Sequence, residues 1–161
     1  MKNIRLGDLL IELGYITPDQ LTAALAYQKE HRDLRVGQAL QELGYVNERQ
    51  VLEALAKRLQ IQLIDIEHTT VDVTAVEKVP QGLAQKYDML PIAQSARALT
   101  VAANDPLNYY AIEDIRQLTG MEPEIVLAEL EPLRRAIRYY YAEVRARKAA
   151  RTANDSDMAA A

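Results

Sequence analysis

The chain has 161 residues, 49% of them hydrophobic, with 19 Lys and Arg, 23 Asp and Glu, and no Cys, Trp or Phe. This length suits one compact domain or two small ones with an apolar core, and the lack of cysteine excludes disulfides, thiolate catalysis and cysteine-based zinc sites. No apolar run reaches the roughly 18 residues of a membrane span and no signal peptide precedes the structured sequence, so we expect a cytoplasmic protein without direct membrane insertion.

Charge is unevenly distributed along the chain. Residues 1–60 carry 8 basic and 8 acidic groups, residues 61–133 carry 4 and 12, and residues 134–151 carry 7 and 1. An anionic ligand therefore meets less repulsion at the first segment, or at the basic stretch near the end, than in the acidic middle.

The first segment contains a duplication. A shift of 30 residues aligns residues 5–28 with residues 35–58, and 11 of the 24 aligned positions are identical. In each copy, apolar residues at i, i+3, i+4 and i+7 predict a first helix, which a glycine ends in the left-handed conformation. The sequences 17–20 and 47–50 are capping boxes that begin a second helix. The glycines of the duplication occur as matched pairs: Gly7 with Gly37, and Gly14 with Gly44.

Each copy is therefore predicted to form a helical hairpin. The turn between its helices is short, so the helices run antiparallel and the two ends of each copy lie close together. We expect Arg5 near Gln28 and Arg35 near Arg58, with the connector 29–34 bringing both arginines of the second copy close to Gln28.

Residues 61–148 predict a small α+β subdomain. Its expected elements are a strand at 62–66, a helix at 80–87, strands at 90–93 and 98–102, a turn at 104–106, a helix at 109–118, a strand at 123–127 and a basic helix at 131–148. Residues 149–161 have the composition of a disordered linker or tail. The predicted fold class is α+β, with a four-helix subdomain of two repeated hairpins at 1–60 followed by the small mixed α/β subdomain.

The two RLG…G…Q units, followed by an α+β segment with an Asn-Asp-Pro turn, resemble the MshEN domain. This is the N-terminal domain of the ATPases that power type II secretion and type IV pilus assembly, and the resemblance covers about residues 1–145. Some members of that family bind cyclic di-GMP through the two motifs, and others use the domain to dock to secretion-machine partners. The resemblance implies a cyclic di-GMP sensor that controls such an ATPase. The alternative is a ligand-independent adaptor that docks the ATPase core to inner-membrane platform proteins, which would place the domain peripherally at the inner membrane.

Cyclic di-GMP has two guanines and two phosphates, so two matched half-sites suit it. Arg5 and Arg35 begin helices, where free N–H groups favour phosphate, and an arginine fork can alternatively bind guanine O6 and N7, worth about 1–3 kcal/mol of discrimination. Gly7 and Gly37 lack a Cβ and would let the ligand approach the backbone. The resemblance assigns Asp105 as acceptor for the guanine N1–H and N2–H₂ edge. The full predicted binding set is Arg5, Leu6, Gly7, Leu10, Leu21, Leu25, Gln28, Arg35, Val36, Gly37, Leu40, Val51, Leu55, Arg58 and Asp105.

The second motif departs from the family pattern. Arg58 stands where the motif usually ends in Gln, and Gln60 and Gln62 replace the following Gly-x-Pro. An arginine there either adds a bond to a dianionic ligand or overfills the half-site. The apolar residues of the binding set also fit a packed core that contacts no ligand.

Other classes of function have weaker support. The chain has no P-loop motif and no nucleophile with a histidine partner, so we expect no catalysis and no cofactor; an ATPase core is expected only downstream. The run Tyr139–Tyr141 among arginines is compatible with nucleic-acid binding, but a net charge of −4 and a net-neutral repeat argue against it. A tetratricopeptide array does not fit either, because its repeat is longer than the 30 residues found here and such arrays contain at least three copies rather than two.

Overall fold

The computed structural model describes the backbone of residues 5–160 and the side chains of residues 5–155. The chain forms two compact units, divided in sequence between Leu63 and Ile64. The first unit is helical and the second combines helices with a three-stranded sheet, so the fold is α+β. The boundary placed after residue 60 from the sequence stays a prediction.

The duplicated segment forms two helical hairpins. Helices α1 (Leu6–Glu12) and α2 (Pro18–Glu30) make the first, and α3 (Val36–Glu42) and α4 (Glu48–Leu59) make the second. Helix α1 packs against α3 and α4, and α2 packs against α3. Helices of one hairpin thus pack against helices of the other.

A glycine sets the turn inside each hairpin. Gly14 and Gly44 have φ angles of 80° and 76°, in the left-handed region that glycine adopts without strain. The N–H of the residue after each glycine donates to the carbonyl of Leu10 (2.9 Å) or Leu40 (3.0 Å), which completes a Schellman cap. The predicted glycine caps are confirmed.

Reciprocal hydrogen bonds begin the second helix of each hairpin. Gln20 N donates to Thr17 Oγ1 at 3.2 Å, and Thr17 N donates to Gln20 Oε1 at 2.9 Å. Asn47 and Gln50 exchange the same two bonds at 2.9 Å each. Both predicted capping boxes are confirmed, and each satisfies two N–H groups that a helix start leaves without partners.

The predicted strand at 62–66 is wrong. Ile66–His68 is a short 3₁₀ helix, because Asp65 Oδ1 accepts a hydrogen bond from Glu67 N at 3.1 Å and turns the chain there. The Ile64 N–H donates to Leu127 O at 2.8 Å, but the segment does not extend into a strand.

Two short helices precede the sheet. Helix α5 (Val73–Val76) was not predicted from the sequence; it begins where Asp72 Oδ1 accepts from Thr74 N at 3.0 Å. Helix α6 (Gln81–Tyr87) was predicted, and Pro80 is its N-cap residue.

The sheet has strand order β1-β2-β3, with strands β1 (Met89–Gln94), β2 (Ala98–Ala103) and β3 (Glu122–Leu127). β1 pairs with β2 antiparallel, and β2 pairs with β3 parallel. The parallel pair requires a crossover, which helix α7 (Tyr109–Thr119) provides. All three strands and α7 match the predicted elements to within one or two residues.

The sheet lies between two apolar clusters. One contains Leu90 and Ile92 of β1 with Leu133 and Ile137 of the last helix, α8 (Leu130–Ala160). The other contains alternate residues of β2 with Ala111 and Ile115 of α7. Because successive side chains of a strand point to opposite faces of the sheet, one face packs against α8 and the other packs against α7.

Helix α8 is longer than predicted. Residues 149–160, for which the sequence predicts a disordered linker, continue the helix; Ala161 lies outside the described residues. The segment contains several alanines and neither Gly nor Pro, so no residue in it interrupts a helix. In addition, the Arg151 guanidinium pairs with Glu77 at 3.0 Å, and this ion pair joins the extended part of α8 to the residues just after α5.

Candidate functional site

The two arginines of the duplication occupy equivalent helix starts. Arg5 and Arg35 are the N-cap residues of α1 and α3, and both are exposed. Each helix has only seven residues, which limits the dipole field at its start. The Arg35 N–H also donates to Gln38 Oε1 at 2.8 Å. Attraction for a phosphate at these positions therefore depends on the guanidinium groups rather than on the helix ends.

Side chains fill the space beside the two helical glycines. A Cβ added to Gly7 would lie 2.5 Å from Leu21 Cδ1, and one added to Gly37 would lie 3.1 Å from Leu6 Cδ2 and 3.5 Å from Val51 Cγ1. The sequence predicts that these glycines give a ligand access to the backbone. In the structure that space is occupied, and close helix packing accounts for both glycines.

The apolar residues of the predicted binding set differ between the two repeats. Leu21 is half-buried and Leu25 is 45% exposed, whereas the matching Val51 and Leu55 are only 7% and 8% exposed. Helix α2 therefore exposes apolar side chains at positions whose counterparts on α4 are buried.

The remaining apolar members of the predicted binding set differ in burial. Leu10 and Leu40 have no exposed surface, while Leu6 and Val36 are half-buried. Leu10 and Leu40 cannot contact a ligand in this conformation, and they are part of the packed core of the helical unit.

A hydrogen bond ties the end of the first repeat to the start of the second. Gln28 Nε2 donates to Leu34 O at 3.0 Å. Because Leu34 directly precedes Arg35, this bond places Gln28 close to the start of α3. The same connector is held by Tyr27 and His31, whose rings stack with centroids 3.9 Å apart. Gln28 thus has a structural role, and its role in binding a ligand stays a prediction.

Tyr27 also links α2 to α3, and the sequence analysis did not single it out. Its hydroxyl donates to Glu42 Oε2 at 2.8 Å, and this bond, with a smaller contribution from desolvation, raises the pKa of Tyr27. The available signal was a difference between the copies, since the matching residue of the second repeat is Lys57.

The end of the second repeat is built differently. Arg58 is exposed near the end of α4, and no hydrogen bond or ion pair joins its guanidinium to another described side chain. Gln60 then ends α4 with a φ of 54°, in the left-handed region. Glycine adopts that conformation at less cost than glutamine does.

Asp105 belongs to the second unit. It is half-buried in the turn between β2 and α7, and its Oδ1 accepts from Leu107 N at 3.0 Å. The neighbouring Asn104 is buried and donates to Ala128 O at 3.1 Å, which ties the turn to the end of β3. The assignment of Asp105 as a guanine acceptor stays a prediction.

Within the described part of the chain, no group of three or more His, Cys, Asp or Glu side chains is arranged to hold a metal ion. Across the same residues, each helix is too short or too polar to cross a lipid bilayer.

Several known proteins are similar to this chain in sequence or in overall structure. A structure of MshE with cyclic di-GMP is 34% identical and covers 86% of this chain and all of that chain, with a TM-score of 0.80. The N-terminal domain of XpsE is 21% identical over 86% of this chain and 97% of its own, with a TM-score of 0.70, which shows a shared fold. The type IV pilus assembly ATPase PilB of Myxococcus xanthus is 33% identical over 139 residues. This chain spans about a quarter of the length of PilB, since the match covers 86% of the chain but 24% of PilB.

The sequence profile of the MshEN domain matches residues 59–147, which is more than half of the chain. That range begins at the end of α4, so the profile covers the sheet-containing unit. The MshE match covers 86% of the chain, more than the part that follows residue 58, so it necessarily includes residues of the repeats. On these matches and the shared fold, the chain belongs to the MshEN domain family.

Proposed function

We propose that this chain is a regulatory domain that binds cyclic di-GMP through its two helical repeats and controls a type II secretion or type IV pilus ATPase. The observation that carries the proposal is the similarity to the cyclic di-GMP-containing MshE structure, at 34% identity over the whole of that chain. The similarity to PilB supports a pilus ATPase as the regulated enzyme. In this proposal the domain itself has no catalytic role.

The geometry of the first unit supports a dianionic ligand. Arg5 and Arg35 are exposed at equivalent helix starts, and a guanidinium binds phosphate or a guanine edge through two parallel hydrogen bonds. Leu21 and Leu25 on α2 offer apolar surface for a ribose or a base face. In this proposal Gln28 positions the start of α3 through Leu34, and its amide oxygen accepts a hydrogen bond from the ligand.

A second candidate is a ligand-independent adaptor that docks the ATPase to inner-membrane platform proteins. The observation in its favour is the asymmetry of the repeats. Arg58 replaces the glutamine that ends the first motif, and Val51 and Leu55 are buried. A second half-site on α4 then has less surface to offer a ligand than the first.

Calorimetric titration of the purified chain with cyclic di-GMP tests the first candidate. We expect saturable heat at ligand concentrations on the order of tens of micromolar or below. Arg5→Ala should weaken binding about tenfold or more, because a lost hydrogen bond to a charged group costs about 1.5–3 kcal/mol. Arg49→Ala is the matched control, an exposed arginine on α4 outside the predicted set, and should leave affinity unchanged. Absence of heat removes the proposal.

Two further measurements separate the candidates. Arg58→Gln restores the residue that ends the first motif, so it should tighten nucleotide binding if Arg58 overfills the second half-site. A pull-down of the cytoplasmic regions of inner-membrane platform proteins by the nucleotide-free chain would favour the adaptor. An Arg5→Ala variant that still captures them, but no longer binds cyclic di-GMP, would show that the two functions use different surfaces.

A further inference from the structure

We propose that a groove beside α8 binds an acidic segment of a partner protein that also carries an apolar side chain. The groove has a volume of about 390 Å³ and lies within the second unit, between α8, the residues around Pro80 and the end of α7. This proposal is independent of nucleotide binding, because none of the residues predicted to bind cyclic di-GMP lines the groove.

The floor of the groove is apolar and needs no polar partner. Tyr141 and Val144 of α8 form part of it, and the Tyr141 hydroxyl already donates to Val79 O at 2.8 Å. Leu118, at the end of α7, lines one side and is 54% exposed. An apolar side chain placed here would remove Leu118 from water, which favours association.

The rim of the groove is positive. Lys78, Arg145 and Lys148 line it together with one carboxylate, Glu77, which is already paired with Arg151 at 3.0 Å. Arg145 bonds to a neutral amide, that of Gln81. No ion pair joins Lys78 or Lys148 to another described side chain. These cations therefore retain their charge for a partner, and the complementary partner is acidic.

A row of exposed basic side chains on α8 begins at the groove. All described side chains of α8 from residue 145 onward are exposed; Arg145 and Lys148, which line the groove, lie three residues apart, and Arg151, which is paired with Glu77, follows at the same spacing. At a rise of about 1.5 Å per residue, this row extends about 9 Å along the helix. An extended or helical polypeptide segment can contact both the groove and the row, and its apolar side chain distinguishes it from a nucleic-acid phosphate chain.

Fluorescence anisotropy with a labelled synthetic peptide of alternating Glu and Leu tests the proposal on the full chain. We expect saturable binding at about 0.1 M salt that weakens strongly near 1 M salt, because rim charges are screened. Lys148→Glu should weaken binding about tenfold, a loss of about 1.4 kcal/mol. Arg147→Glu is the matched control, since it makes the same charge change at a neighbouring exposed position that does not line the groove. It should change affinity less than about twofold.

Leu118→Ser tests the apolar part of the groove and should also weaken binding of the peptide. Circular dichroism verifies that each variant is folded. The proposal is overturned if the Glu-Leu peptide does not bind, or if Lys148→Glu and Arg147→Glu weaken it equally, since net charge alone would then explain binding. It is also overturned if a single-stranded oligonucleotide binds more tightly than the peptide and loses affinity in Lys148→Glu, because the occupant would then be a nucleic acid.

Discussion

Replacement of Gly7 by alanine tests the close packing of α1 on α2. The added Cβ would lie 2.5 Å from Leu21 Cδ1 and 3.0 Å from Leu21 Cδ2, so the Leu21 side chain has to move. Overpacking typically costs about 1–3 kcal/mol, and alanine returns about 0.5–1 kcal/mol because it favours a helix more than glycine does. Leu21 is half-buried and can shift toward solvent, so we expect a net loss of about 1 kcal/mol in the free energy of unfolding.

Gly82→Ala is the matched control for this experiment. Gly82 lies within α6, and nothing lies within 4 Å of an added Cβ, so the same chemical change meets no neighbour. We expect a neutral effect or stabilisation by up to about 1 kcal/mol. Urea unfolding followed by circular dichroism measures both variants, and a change of 1 kcal/mol moves the midpoint by about 0.3–1 M.

A double mutant identifies the contact responsible. In a Leu21→Ala background the obstructing side chain is gone, so Gly7→Ala should become neutral or stabilising, with a coupling free energy of about 1–2 kcal/mol. If Gly7→Ala has the same effect in both backgrounds, or is as stable as Gly82→Ala, the assigned packing role of Gly7 is refuted.

Further expected outcomes concern caps and titrating groups. Asn47→Ala removes a helix cap and should lower the unfolding free energy by about 1 kcal/mol; an unchanged urea midpoint would contradict this. Gln60→Gly relieves the left-handed cap of α4 and should raise the unfolding free energy by up to about 1 kcal/mol in the same assay. Burial raises the pKa of the Tyr141 phenol, so its contribution to stability is intact below about pH 10 and is lost as pH rises through the raised value. Absorbance titration of Tyr141→Phe should therefore lack one phenol that ionises above pH 10. The hydrogen bond and charge of Asp65 raise the pKa of His68, so this pair stabilises the fold below about pH 6.5 and loses that effect as pH rises through the raised value. NMR titration should show a lower His68 pKa in Asp65→Asn, and an unchanged value would show that the pair does not form in solution.

The hairpins were predictable because their signals are local. The glycine with positive φ at residue 14 and the side-chain cap at Thr17 each depend only on residues close by in the sequence. The duplication repeats both signals in its second copy. The false strand at 62–66 arose from apolar residues whose backbone is instead turned by Asp65, a side-chain hydrogen bond that competes with strand pairing. The extension of α8 past residue 148 depends partly on Arg151 pairing with Glu77, and no local pattern encodes a contact between residues so far apart in sequence.

The candidate site was less predictable than the fold. Leu25 and Leu55 occupy the same position in two copies of one motif, yet the first is 45% exposed and the second 8%. Tertiary packing decides that difference, so two aligned sequences cannot show it. Gly7 was interpreted as room for a ligand, while the structure places Leu21 in that space. A glycine in a sequence motif therefore does not by itself indicate whether a ligand or a neighbouring side chain requires the missing Cβ.

The exchange of partners between the hairpins distinguishes this duplication from an open array of helical pairs. The first helix of each copy packs against the second helix of the other, as α1 does with α4 and α3 with α2. Such reciprocal contact resembles the isologous interface of a two-fold dimer, in which each partner presents the same elements to the other. In an open array of helical pairs, by contrast, each unit contacts the next in one direction, and the array can lengthen by addition.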